Sequence, residues 1–204
     1  MSFSQFGQDM HIIQNIYKDK KNGYFVEVGA YDGVNMSNTL YLEQSHNWLG
    51  ICVECNPFWF SKLKENRPNT INYDYAVYNQ DNQELDFIND DTGGCSGFVE
   101  TNSHSHILHK NIITVTTQTL TTILDKSNAP SFIEFLSLDT EGSEYEILKS
   151  HDFNKYLFGY ICVEHNHIET ARKKIRDLLE SKGYVFFREN NVDDDYIHET
   201  LLMK

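Results

Sequence analysis

No stretch of this 204-residue chain reaches 18 consecutive apolar residues, and its first residues do not join a basic segment to an apolar one. A membrane-spanning helix needs such a long apolar run, and a secretory signal needs a basic segment followed by an apolar one. We therefore expect a cytoplasmic protein that neither enters a membrane nor is secreted. Low-complexity tracts and linkers are missing too, and 40% of the residues are hydrophobic. This composition predicts one globular domain over residues 1–204.

Positive charge is scarce. The chain has 17 Lys and Arg against 30 Asp and Glu, for a net charge of -13. Such a surface repels a phosphate backbone, so we do not expect nucleic acid as a partner. The local basic run from Arg172 to Arg176 is typical of the solvated face of a helix.

Cysteine is also rare, with Cys52, Cys55, Cys95 and Cys162 as the four examples. Cys52 and Cys55 form a CxxC pair, but no second pair and no suitably spaced His pair completes a zinc site. We expect reduced thiols with a structural role.

Short apolar runs alternate with helical patterns along most of the chain. Strands are predicted at 24–30, 49–55, near 70–77, 132–138 and 158–164, with helices at 36–46, from Pro57 toward Arg67, at 142–150 and at 168–182. This alternation predicts an α/β fold around a parallel sheet. Residues 183–190 and 195–204 are predicted to close it as an antiparallel pair. Residues 84–119 break the rhythm and are interpreted as an extended insertion close to the substrate.

The turn after the first predicted strand does not carry the GxGxxG motif of dinucleotide enzymes. Its spacing is Gly29-x-x-x-Gly33, which disfavours NAD and FAD. Glu54 ends the second strand, where a carboxylate can accept both hydroxyls of a ribose. Together the two features indicate an adenosine-containing ligand, and S-adenosylmethionine fits without a phosphate cradle. The alternatives are a glycine turn with a purely structural role and an ordinary surface carboxylate.

Acidic residues also follow the later strands. Asp139 and Glu141 come after strand 132–138, and Glu164 and His165 end strand 158–164. Neighbouring parallel strands end at one edge of a sheet, so we expect these groups to lie together. They predict either a site for Mg²⁺ on Asp139, Glu164 and His165, or a general base at His165. Polar residues are common at strand ends, which is the alternative interpretation.

Several motifs together resemble the FkbM family of S-adenosylmethionine-dependent methyltransferases over most of the chain. They are SQFGQD at 4–9, FVEVGAYDG at 25–33 followed by SNT, GICVECNP at 50–57, YAV at 75–77, and FLSLDTEGSEYEILKS at 135–150.

The resemblance implies a Rossmann-like class I methyltransferase fold, with a mostly parallel seven-stranded sheet, helices on both faces and a final antiparallel strand. It also implies methylation of a hydroxyl group on a sugar, glycan or small molecule. Its cofactor-binding residues would be Gln5 and Asp9 over the cofactor, Glu27, Gly29, Ala30, Asp32 and Gly33 at the methionine end, Glu54 at the ribose, and Asn56, Ala76 and Val77 near the adenine.

For catalysis we expect Asp139 and His165 to act, with Glu141 in support. A noncatalytic nucleotide- or S-adenosylmethionine-binding protein of the same fold is the main alternative. An NAD-dependent oxidoreductase is disfavoured by the missing motif, and RNA methylation by the net charge. The sequence leaves open the identity of the acceptor, the need for a metal and the formation of homo-oligomers.

Overall fold

A seven-stranded sheet runs through the computed structural model, which describes residues 2–92, 94–102 and 111–203. Its strands are β1 (Tyr24–Val28), β2 (Leu49–Val53), β3 (Ile71–Tyr73), β8 (Phe132–Leu138), β9 (Leu157–Glu164), β10 (Tyr184–Asn190) and β11 (Asp193–His198), in the order β10-β11-β9-β8-β1-β2-β3. Strand β11 is antiparallel to both of its neighbours, and the pairs among β1, β2, β3, β8 and β9 are parallel. The predicted class of fold is confirmed.

A second, four-stranded sheet is built by the region after β3. It contains β4 (Ala76–Val77), β5 (Glu84–Asn89), β6 (Gly97–Phe98) and β7 (Asn111–Gln118), in the order β4-β7-β5-β6. The expected extended insertion at 84–119 is therefore a sheet of its own, although residues 93 and 103–110 of it lie outside the described residues. The single strand expected near 70–77 is wrong in one respect, because the chain leaves the large sheet after Tyr73 and enters the small one at Ala76.

The helices lie between these strands. They are α1 (Gln8–His11), continued by a π-helical turn over Ile12–Ile16, α2 (Leu40–His46), α3 (Pro57–Asn66), α4 (Leu120–Lys126), α5 (Glu144–Ser150), α6 (Glu169–Ser181) and α7 (Glu199–Leu202). Helix α7 corrects the strand predicted over 195–204. That strand ends at His198, whose imidazole accepts a hydrogen bond from the Thr200 N–H and so caps the helix.

Both faces of the large sheet are buried, as expected for parallel strands covered by helices. Side chains alternate along β1, so Val26 and Val28 join the cluster that packs on α4, α5 and α6, while Phe25 joins the cluster on the opposite face. Cys52 and Cys162 are buried in that second cluster, and all four cysteines are free thiols. Within the described residues, no helix has the length and apolar character needed to cross a membrane.

Candidate active site

A cleft lies over the carboxyl ends of β1, β2 and β8, where ligands bind in open α/β sheets. It encloses about 1090 Å³, including the part open to solvent. The cleft is lined by the N-terminal segment, by the loops after β1, β2 and β8, and by the small sheet, together with Trp59 of α3, Cys162 of β9 and Asp193 of β11. The lining residues discussed below are Gln5, Gln8, Glu27, Gly29, Ala30, Tyr31, Asn38, Glu54, Trp59, Ala76, Val77, Phe87, Phe98, Asp139, Glu141, Cys162 and Asp193.

The loop after β1 depends on glycine for close packing. Gly29 has a φ of +83°, and a Cβ there would lie 1.7 Å from the carbonyl oxygen of Asp139. A Cβ on Gly33 would collide with the side chains of Leu63 and Arg67. Gly29 and Ala30 therefore line the cleft, whereas Gly33 faces the protein interior. The predicted contact of Gly33 with the cofactor stays a prediction.

Asp32 also serves the loop rather than the cleft. Its Oδ1 accepts hydrogen bonds from the Val34 and Asn35 N–H groups, and its Oδ2 accepts one from the Asn35 side chain. Asp side chains commonly stabilise turns in this way. Asp32 is not among the lining residues, and its hydrogen bonds stabilise the turn. Its contact with the cofactor stays a prediction.

Glu27 presents a buried carboxylate to the cleft. It accepts hydrogen bonds from the Asn38 N–H (2.6 Å) and the Thr39 hydroxyl (2.6 Å). Behind it, the fully buried Arg67 guanidinium lies 3.7 Å from Glu27 Oε2 and donates to the carbonyl of Gly33. A buried charge needs a paired and hydrogen-bonded partner, so Arg67 balances Glu27 and fixes the loop above it.

Glu54 ends β2 with both carboxylate oxygens already hydrogen-bonded. Oε2 accepts from the Tyr31 N–H at 2.9 Å and Oε1 from the Asn56 N–H at 2.8 Å. Burial raises the pKa of Glu54 to about 7, and the two main-chain donors oppose that rise. Each oxygen keeps a lone pair for a ligand. Ala76 and Val77 line the same cleft.

Asn56 has a different role from the predicted one. Its Oδ1 accepts from the Phe58 and Trp59 N–H groups, which makes it the N-cap of α3. Its Nδ2 donates to the Asp90 carbonyl and the Ser96 hydroxyl of the small sheet. Asn56 lies outside the cleft lining and connects the start of α3 to the insertion.

The N-terminal segment reaches the cleft through Gln5 and Gln8. The Asp9 carboxylate instead accepts three hydrogen bonds from residues 2–4 and is completely buried. Asp9 thus stabilises the fold of its own segment, and its contact with the cofactor stays a prediction. Gln8, which the sequence did not suggest, donates from Nε2 to Asp193 Oδ2 at 2.8 Å, and both residues line the cleft.

Three carboxylates meet at the other end of the cleft. Oxygens of Asp139, Glu141 and Glu164 lie within 4.8 Å of one another, and the Asn166 side chain donates to Glu141 and Glu164. Loss of water contact together with the charge of Glu141 raises the pKa of Asp139, and burial together with Asp139 raises that of Glu164. Asp139 is the exposed member and faces the cleft.

His165 does not join this group. Successive side chains of a strand point to opposite faces, so Glu164 reaches Asp139 while His165 turns away. Its Nε2 lies 3.6 Å from Asp194 Oδ1, and its Nδ1 accepts from the His167 N–H. Burial lowers the pKa of His165. The structure thus does not bring His165 together with Asp139 and Glu164, and its roles as general base and metal ligand stay predictions. The group that it does bring together is Asp139, Glu141 and Glu164, whose oxygens suit a hard cation such as Mg²⁺. That metal stays a prediction.

The charge of the lining has one sign. Five carboxylates line the cleft, from Glu27, Glu54, Asp139, Glu141 and Asp193, and no Lys, Arg or His is found among its described lining residues. Such a cleft favours a cationic or neutral ligand. Sequence reasoning missed Tyr31, Asn38, Trp59, Cys162 and Asp193, although Tyr31 and Asn38 lie inside the quoted motifs that follow the first strand.

The chain is similar to known methyltransferases in sequence and in fold. The model of the methyltransferase FkbM domain matches residues 27–186. Among solved structures, the METTL16 methyltransferase domain aligns with a TM-score of 0.52 and 11% identity, covering 92% of this chain and 64% of that one. The human methyltransferase 10 domain containing protein gives a TM-score of 0.50 and 10% identity, with 92% and 78% coverage.

A third structure, M. capricolum TrmK in complex with its natural cofactor product S-adenosyl-homocysteine, gives a TM-score of 0.48 and 11% identity, with 96% and 68% coverage. The chain spans less than two thirds of the METTL16 domain. No curated protein matches the sequence. At these identities the structural likeness concerns the fold alone, which is that of class I Rossmann-like methyltransferases. Since the family model covers most of the sequence, this chain belongs to the FkbM methyltransferase domain family.

Proposed function

We propose that this protein transfers a methyl group from S-adenosylmethionine to a hydroxyl group of a sugar, glycan or small molecule. One observation carries the proposal. A single cleft holds Glu54, a carboxylate placed to accept ribose hydroxyls, and Asp139, a carboxyl group of raised pKa. Membership of the FkbM family supports methyl transfer, and the pairing of these two groups supports transfer to oxygen.

The cleft suits the cofactor in charge as well as in shape. S-adenosylmethionine carries a positive sulfonium and no phosphate. Glu27 and Asp139 supply negative charge along the lining, which favours a cation. Gly29 and Ala30 bring main chain to the same surface without a side chain larger than a methyl group.

The proposed chemistry asks little of the protein beyond alignment and proton removal. Bound S-adenosylmethionine supplies a methyl group that is already activated by the sulfonium. Asp139 would take the proton of the acceptor hydroxyl while the acceptor oxygen bonds to the methyl carbon. The electrons of the broken carbon–sulfur bond would remain on sulfur. A carboxylate whose pKa is raised by its surroundings is a stronger base for this step.

The acceptor should carry no phosphate or carboxylate, because the described lining offers such groups no cation. Phe87 and Phe98 of the small sheet also line the cleft and offer apolar ring surface. These features support a neutral carbohydrate or small polyol as the acceptor. We expect the acceptor to be methylated after it has lost any charged activating group.

The D139N variant tests the proposal. With labelled S-adenosylmethionine and a panel of neutral glycans, we expect the unaltered protein to label an acceptor and D139N to lose about 100-fold or more in kcat. S-adenosylhomocysteine affinity, measured by calorimetry, should change much less. Asp177→Asn, on the exposed side of α6, is the matched control and should keep full activity.

Two results would contradict the assignment. Equal turnover by D139N and the unaltered protein would remove Asp139 from the chemistry. Binding of S-adenosylhomocysteine without transfer to any neutral acceptor would favour the noncatalytic alternative.

A further inference from the structure

The cleft continues past Asp139 to Asp193, away from Glu54. Asp193 is the first residue of the antiparallel strand β11 and pairs with Glu164, so it lies at the same edge as the carboxyl ends of the parallel strands. The sheet order β11-β9-β8-β1-β2 places Glu54 and Asp193 two strands from β8, on opposite sides. Neighbouring strands are about 4.8 Å apart, so β2 and β11 are each about 10 Å from β8. The part of a ligand that reaches Asp193 is therefore distinct from a ribose at Glu54.

A hydrogen bond between the two ends of the chain builds this part of the cleft. Gln8, the first residue of α1, donates from Nε2 to Asp193 Oδ2 at 2.8 Å, although 185 residues separate the two in sequence. The Cys162 thiol donates to the same oxygen at 3.3 Å. Gln8 is 3% exposed and Asp193 is 7% exposed, and both line the cleft. A ligand in the cleft is therefore the partner that can use their remaining hydrogen-bonding capacity.

That remaining capacity is one acceptor oxygen and one donor. Both donors to Asp193 are neutral and both bind Oδ2, and among the described residues none donates to Oδ1. Burial raises the pKa of Asp193, and the hydrogen bonds from Gln8 and Cys162 oppose that rise. The Gln8 Oε1 accepts from the Phe6 N–H, which leaves the second N–H of the amide for a ligand. A buried carboxylate is stabilised by each further donor that it receives.

We propose that Gln8 and Asp193 bind a second hydroxyl of the methyl acceptor, in addition to the one that Asp139 deprotonates, and so select acceptors that carry both. This inference rests on the proposed function, since it names the groups that hold the substrate of that reaction. A hydroxyl is a donor and an acceptor at once, so it can donate to Asp193 Oδ1 and accept from Gln8. Buried polar groups of this kind discriminate against a ligand that lacks the matching hydroxyl, because they are then left unpaired.

Removal of single hydroxyls from the acceptor tests the assignment. The panel of neutral glycans would begin with the methyl glycosides of glucose, galactose and mannose, each compared with its monodeoxy analogues. For the unaltered protein, we expect loss of one hydroxyl that is not itself methylated to lower kcat/KM about tenfold or more. In D193N the amide oxygen must receive the Gln8 and Cys162 donors, so only N–H donors face the ligand. The KM of the parent acceptor should therefore rise about tenfold with little change in kcat, and the deoxy analogue should react about as well as the parent.

The Gln8→Glu variant tests the same subsite from a different element. Its side chain still accepts from the Phe6 N–H, but it cannot donate to Asp193 or to the acceptor. We expect the same loss of discrimination as in D193N. Both variants should bind S-adenosylhomocysteine within about twofold of the unaltered protein, because the subsite lies apart from the cofactor. Asp177→Asn, on the exposed side of α6, is the control and should keep the full discrimination.

Equal discrimination against the deoxy analogue by D193N and by the unaltered protein would overturn the inference and leave the proposed function intact. The inference would also be wrong if the unaltered protein tolerated the loss of every hydroxyl that it does not methylate. A larger fall in S-adenosylhomocysteine affinity in either variant would assign the pair to the cofactor instead. Failure of the unaltered protein to methylate any neutral acceptor would overturn the proposed function as well, so the two failures are distinguishable.

Discussion

At the scale of single residues, the site depends on carboxylates that the surrounding protein has arranged in advance. Glu54 is held by two main-chain donors before any ligand arrives, and Glu27 is held by Asn38 and Thr39. Fixed groups of this kind lose little conformational freedom on binding. Burial raises the pKa of Glu54 to about 7, and its two main-chain donors oppose that rise.

Cofactor affinity should therefore depend on pH through Glu54. The carboxylate accepts hydrogen bonds from both ribose hydroxyls, whereas the protonated form loses part of this capacity. Protonation predominates below the pKa of about 7, so S-adenosylhomocysteine affinity should fall as pH falls, by up to about tenfold for each pH unit below that value. Above pH 8 or so the affinity should level off.

Calorimetric titrations of the unaltered protein and of E54Q between about pH 5.5 and 8.5 would measure this. E54Q keeps the shape of the side chain without its titration, so its affinity should be lower at high pH and nearly constant across the range. Glu65→Gln, on the exposed face of α3, should behave like the unaltered protein. A pH profile in E54Q as steep as in the unaltered protein would assign the titration to another group.

The position of His165 relative to Asp139 is also a residue-scale matter. Strand order brings the ends of β8 and β9 together, and that much was predictable from the alternation of strands and helices. Which of two consecutive residues then faces Asp139 depends on the phase of the strand. Glu164 has the right phase and His165 the wrong one, and an apolar run buried on both faces gives no sign of that phase.

At the scale of elements, the sequence predicted best where the chemistry is local. Strand β8 was predicted at its observed bounds, and α3 begins at Pro57 as its fixed φ favours. The break between β3 and β4 was missed because it is decided by pairing with two different sheets, and β4 pairs with the distant β7. A local pattern of apolar residues does not predict pairing between strands that are far apart in sequence.

Helix α3 provides an element-scale prediction because Asn56 joins it to the small sheet. Replacing Asn56 by Ala removes the N-cap of α3 and both donors to the insertion. We expect the free energy of unfolding to fall by about 1–2 kcal/mol from the cap, with a further loss from the two hydrogen bonds to Asp90 and Ser96. Denaturant unfolding followed by circular dichroism would measure it.

Asn56→Asp separates the two contributions. Aspartate is an equally good cap and favours the helix N-terminus, but it cannot donate to Asp90 or Ser96. The aspartate variant should therefore keep the cap and still lose the contacts with the insertion. An Asn56→Ala protein as stable as the unaltered one would show that neither role contributes to stability.

At the scale of the whole molecule, the topology concentrates function at one edge of the sheet. From β1 the chain moves outward to β2 and β3 and later returns to β8 on the other side. This reversal leaves a crevice between β1 and β8, which is where Gly29 meets Asp139. The alternation of elements predicted the sheet, but it did not predict the order of all its strands, because local patterns do not specify neighbours.

Charge is the other property of the whole molecule, and it bears on the class of acceptor. The net charge is -13, and the described lining of the cleft is acidic. The basic run on α6 offers little to a phosphate, since Arg172 and Arg176 are both paired with Asp194. Nucleic-acid affinity depends mainly on cations that neutralise phosphates, so this protein should not bind RNA at physiological salt.

Fluorescence polarisation with a labelled single-stranded RNA and a labelled hairpin would test this, at low and at physiological salt. We expect no saturable binding by the unaltered protein, with or without S-adenosylhomocysteine. The D194N variant removes the acidic partner that Arg172 and Arg176 share, although Arg172 keeps its pairing with Glu189, and it measures how much affinity the two cations then supply. Binding by the unaltered protein that weakens steeply as salt increases would contradict the expectation. The slope of log affinity against log salt concentration measures how many phosphates the protein neutralises. Such a result would make RNA, rather than a neutral glycan, the proposed acceptor.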